Sequence, residues 1–226
     1  SRWNQGGFWN LMAIDKIQAE GINLSDTFAF TGTVTGTPSD MVMITSTNVT
    51  SAVSSVDFTI SNQTAYNNFQ IHCGDIRPVN NGTTLNLRFK LTNSSDFESG
   101  ANTYSNQRQR VYQGGGSTWV VNQGGYNTTM GSASMGVNSS GNGFSEAQTN
   151  SIIWLHNVFS TDRRKAFISQ SYGSTDNQNG MVQQQSATYT GSNSMDALVA
   201  IRVMFDTGNI DKGRYTLYGM KTWKNI

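Results

Sequence analysis

The sequence predicts an all-β protein, a jelly-roll-like antiparallel β-sandwich with an N-terminal arm or short helix, and three observations carry that prediction. Apolar and polar residues alternate over short runs, most clearly at 84–91, where Leu85, Leu87, Phe89 and Leu91 point one way and Asn86, Arg88 and Lys90 the other. Turn signals punctuate the chain: Asn81-Gly82, Asn142-Gly143 and Asn179-Gly180 tolerate the positive φ of tight turns. After residue 40 no helical periodicity separates the runs, which argues against a parallel α/β sheet.

Taken in order, residues 1–40 form the arm or attachment segment and 41–226 the sandwich. Over 8–20, Phe8, Leu11, Met12, Ala13, Ile14 and Ile17 fall on a rough helical spacing that Gly21 can end. Residues 27–38, rich in Thr and Gly, read as an extended segment leaving the body. Strands are predicted at 53–60, 66–73, 84–91, 108–112, 117–122, 152–159, 165–172, 181–189, 198–206 and 214–221. Val56, Phe58 and Ile60 share one face of the first, and Phe69, Ile71 and Cys73 one face of the second. Residues 152–159 and 197–205 are apolar almost throughout and should be central strands. About ten strands fit an eight-stranded jelly roll with extra strands. An immunoglobulin-type sandwich with a buried disulfide is excluded, because Cys73 is the only cysteine.

Composition narrows the function. Ser, Thr, Asn and Gln supply 89 of the 226 residues, while charged residues are 13% and the formal net charge is +1. That balance gives no electrostatic hold on nucleic acid or anionic lipid. No apolar run reaches the ~18 residues of a membrane span, so membrane insertion is not expected either. Residues 1–10 contain no secretory signal, and a chain with one cysteine suits folding in a reducing cytoplasm. A chain made that way reaches the exterior by lysis or as part of a particle.

Motifs for chemistry are sparse. The two imidazoles, His72 and His156, lie far apart and in no zinc-binding spacing, so no metal is expected. His72 and Cys73 are strand neighbours pointing to opposite faces, which prevents them from acting as base and nucleophile. Both histidines read as strand residues with satisfied hydrogen bonds. Gly114-Gly115-Gly116 and Gly124-Gly125 lack the lysine and following helix of a phosphate loop. Glycoside hydrolysis needs two carboxyls about 5–10 Å apart; Asp96 and Glu98 share a face if extended, with Asp75 or Asp176 as further candidates. No catalytic residue and no cofactor is assigned, and the chain is expected not to be an enzyme.

Binding has better candidates. Arg108, Arg110, Tyr112 and Tyr126 lie in a middle section rich in Arg, rings and amides, a chemistry suited to a glycan or a protein. Trp3, Phe8, Trp9, Leu11 and Met12 would be costly to expose and suit an arm that docks on a partner. The cluster Asp162, Arg163, Arg164 and Lys165 reads as a solvated turn, or as a site pairing with an acidic patch on a neighbouring subunit.

At the C-terminus the run 207–221, TGNIDKGRYTLYGMK, carries a G-N-I-D-x-G turn leading into a closing strand that ends in Y-G-M-K. With the entry strand at 51–59 and the penultimate strand at 197–206, it resembles a family of virion proteins from tailed phages, especially those of marine bacteria and cyanobacteria. That resemblance implies a structural protein of a phage particle, made in the host cytoplasm and exposed on the particle surface. A capsid decoration or cement protein is the first expectation, and a receptor-binding module of a tail or head fibre the second. The implied partners are other copies of the chain, with a trimer favoured, the major capsid protein or another virion protein, and a host-surface glycan.

Overall fold

In a computed structural model, residues 41–80, 83–100, 103–112, 133–134, 149–174 and 180–221 are described. They belong to the second of two units, Ser39–Ile226, into which the chain divides after Pro38. Two stretches expected to be structured, the helical spacing at 8–20 and the strand at 117–122, lie outside the described residues.

The described residues form eleven strands: β1 (Met41–Val49), β2 (Ser55–Thr59), β3 (Asn68–Pro78), β4 (Leu85–Leu91), β5 (Tyr104–Tyr112), β6 (Ala133–Ser134), β7 (Thr149–Leu155), β8 (Ala166–Ser174), β9 (Gly180–Tyr189), β10 (Leu198–Phe205) and β11 (Ile210–Met220). They build a seven-stranded sheet, β1-β11-β3-β7-β8-β9-β5, and a four-stranded sheet, β2-β10-β4-β6. Every pairing is antiparallel. The expected all-β sandwich is what the chain adopts.

The pairings β1·β11, β2·β10, β3·β7 and β4·β6 are nested one inside the next and alternate between the sheets. That is the order produced when one long hairpin rolls up into a jelly roll. The other three strands, β8, β9 and β5, extend the larger sheet beyond β7. β7 is therefore the central strand of seven and β10 an interior strand of four, as their apolar sequences predict.

The core lies between the sheets because each strand presents alternate apolar residues inward. Leu85, Leu87, Phe89 and Leu91 of β4 and Ile201, Val203 and Phe205 of β10 meet Phe69 and Ile71 of β3, Ile153 and Leu155 of β7, and Tyr215 and Leu217 of β11. Phe89 packs edge-on against Tyr104 and Phe167, at centroid distances of 5.9 and 6.2 Å. Gly219 is required where it stands, since a Cβ there would fall 2.5 Å from the ring of Tyr66.

One turn differs from the sequence expectation. Residues 209–213 do not make a tight turn; β11 already begins at Ile210, and its register slips twice, between Ile210 and Lys212 and between Lys212 and Arg214. The physical reason is burial of Ile210, whose backbone exchanges hydrogen bonds with Val53. The crossing between sheets is made earlier, at 206–209, where Gly208 takes a φ of 75°.

Candidate functional site

The residues with catalytic or metal-binding chemistry are dispersed. Cys73 points into the core, where loss of solvent pushes its thiol far above the ordinary range. The native protein should resist a thiol reagent and react at one equivalent in denaturant; rapid native labelling would contradict the placement of β3. His72 points outward, tilted against the Tyr218 ring at 4.8 Å, and burial lowers its pKa. His72 lies on β3 as expected, but its Nε2 is buried without a hydrogen-bond partner, and His156 sits exposed in the loop after β7 rather than on a strand, so the expectation is corrected on these two points.

Asp96 and Glu98 are in a loop, not on a strand face. Glu98 accepts from Ser94 Oγ, and the Asp96 side chain accepts from Phe97 N at 2.7 Å. Asp75, at a φ of 51°, lies at a bulge of β3, and Asp176 is outside the described residues. Among the described residues no three His, Cys, Asp or Glu side chains come close enough to hold a metal ion.

The cluster at 162–165 divides. Asp162, Arg163 and Arg164 are exposed, as a solvated turn requires, but Lys165 is only 2% exposed. Its ammonium donates to the carbonyls of Ser160, Arg163 at 2.9 Å and Met195 at 3.4 Å, and burial lowers its pKa. Lys165 thus joins the loop after β7 to the loop after β9, a structural role that charge patterning alone does not reveal.

For the recognition residues predicted in the middle section, the structure gives backbone positions. Arg108, Arg110 and Tyr112 lie on β5, an edge strand of the large sheet, opposite Gln185, Gln183 and Met181. Their side chains, Tyr126, and the arm residues Trp3, Phe8, Trp9, Leu11 and Met12 lie outside what is described.

The outer surface of the large sheet assembles residues that are scattered in sequence. Register places Gln107, Ser186, Ile168, Trp154, Gln70, Tyr218 and Met43 in one row across all seven strands. The adjacent row is Gln109, Gln184, Gln170, Ile152, His72, Thr216 and Ser46. Neither row contains a carboxylate, an ammonium or a guanidinium. Arg214, one row further, donates to Ser46 Oγ at 3.3 Å. Of seven large apolar residues exposed among those described, five stand on this face: Met41, Met43, Ile168, Tyr172 and Val182. Such rings, Met and amides without charge are the composition of an interface core rather than of an ordinary solvated face.

The inner surface of β7 and of the extension beside it is also unusual. Asn106, Thr149, Ser151, Ser169, Ser171, Gln183 and Gln185 are all buried. Ser151 and Ser171 share a hydrogen bond of 2.9 Å, and Gln183 Nε2 donates to Gln185 Oε1 at 3.1 Å. The layer is only partly paired, since Asn106 Nδ2 and Gln185 Nε2 are buried without a hydrogen-bond partner, at a cost of about 1–3 kcal/mol each. No protein-family model matches this chain, and neither a curated protein nor a solved structure is significantly similar to it, so the role of the outer face rests on its own chemistry.

Proposed function

We propose that this chain is a structural component of a tailed-phage particle, most simply a capsid decoration or cement protein whose sandwich stands on the particle surface. The observation that carries the reading is the pair of charge-free rows running across all seven strands on the outer face of the large sheet. A contact made through such a face depends little on ionic strength, which suits a protein that must stay bound as salt varies. The nested sandwich and the C-terminal run 207–221 support the same reading. The amide row of Gln109, Gln184 and Gln170, beside the exposed ring of Tyr172, favours the second reading, a fibre module touching a host glycan.

Copy number tests both. Quantitative mass spectrometry of purified particles, scaled to the major capsid protein, should find this chain at a stoichiometry matching the capsid lattice. A few copies per particle would move the assignment to a fibre, and absence from the particle would end both readings.

A further inference from the structure

The two outer faces of the sandwich differ in kind. On the small sheet, Asp57, Arg202 and Arg88 lie side by side in one row, with Lys90 beyond. Arg202 pairs with Asp57 at 2.7 Å and lies 4.0 Å over the ring of Phe97. That face carries three cationic side chains and one carboxylate, of which Arg202 and Asp57 form an ion pair. The large sheet presents the two seven-residue rows without a single charge; Ile168 and Met43 stand in the first at 54 and 57% exposure, and Tyr172 and Val182, at 53 and 46%, in the flanking row that also holds Arg214.

From this contrast we infer that the outer face of the seven-stranded sheet is the surface on which a second copy of this chain packs. The inference rests on the reading of the chain as a repeated structural component, and it names the partner of that face. A surface meeting its own copy brings like residues together, so a charged face would suffer like-charge repulsion that an uncharged one escapes. The aliphatic side chains point the same way. Ile168, Val182 and Met43 have no donor or acceptor for a hydroxyl-rich ligand, but they gain by leaving water against another apolar surface.

The size is sufficient. Seven strands about 4.8 Å apart, with three to four rows about 7 Å apart, span roughly 600 Å² in projection, and more once side-chain relief is counted. A standard protein interface takes about 800 Å² from each partner. Ile168 and Trp154, neighbours across β8 and β7, sit at the middle of that area with Tyr172 on the next row but one.

Sedimentation equilibrium of the full chain provides the test. The wild type should associate at concentrations up to about 100 µM, ample for an interface of standard size. Its dissociation constant should change less than about threefold between roughly 0.05 and 1 M NaCl, because no charge pair holds the contact. Ile168→Lys and Tyr172→Glu should each weaken association at least about tenfold, since each buries an unpaired charge, with the circular dichroism spectrum unchanged. Val79→Lys, at an exposed position off this face, should associate like the wild type. A wild type that stays monomeric overturns the inference, and so does one that stays monomeric yet is retained on immobilised dextran or mannan. Ile168→Lys and Tyr172→Glu variants that associate normally would overturn it as well. These outcomes are independent of particle copy number, so the contact can fail while the virion reading stands, and the reverse.

Discussion

Phe89→Ala should lower folding stability by about 3–5 kcal/mol, the range for removing a fully buried aromatic ring that leaves a cavity. The size of the effect follows from position. Phe89 is fully buried on β4 of the small sheet, yet its ring meets Tyr104 of β5 and Phe167 of β8, both in the large sheet. Its backbone N–H donates to the Tyr104 hydroxyl at 2.8 Å, and its carbonyl accepts from Glu98 N. Deleting the ring therefore loosens the two layers where the extension joins the rolled hairpin. Urea unfolding should show the midpoint falling by more than about 1 M. A loss below about 1 kcal/mol would mean that the sheets do not meet at this ring.

Lys165→Met should cost about 2–4 kcal/mol, because three carbonyls now satisfied by one ammonium would face a thioether instead. The removed charge returns part of the loss, since burial disfavours the charged form. Arg163→Ala and Arg164→Ala, next to it in sequence but exposed, should stay within about 0.5 kcal/mol of the wild type. Thermal unfolding of the three variants would separate the buried cation from the solvated ones. Equal effects at all three positions would contradict the inward placement of Lys165.

The fold was legible wherever one strand face is apolar and the other polar. At 84–91 the alternation places Leu85, Leu87, Phe89 and Leu91 in the core, and the near-continuous apolar runs of β7 and β10 mark interior strands. β1 was not legible, because as an edge strand it exposes most of Met41–Val49 and shows no buried alternation. β5 begins four residues before its predicted start, since Asn106 is buried there among other polar groups where an apolar residue would have marked the strand. The turn at 209–213 was misplaced because bulges leave no trace in an apolar pattern. As for the candidate face, each strand contributes only two or three of its residues, so it exists only once register is known. Local density of rings and arginines drew attention to 108–126, whereas the charge-free rows join residues as distant as Ser46 and Thr216.

β11 also sets the timing of assembly. It follows every other described strand in the chain, yet it lies between β1 and β3 and is the one neighbour of β1 among the described strands. Until β11 is made, β1 and one flank of β3 lack the partner they have among the described strands, each a template for pairing with another nascent chain. The described sandwich therefore closes only after synthesis of β11, and a ribosome stalled before residue 210 leaves a product prone to join its neighbours before it can fold.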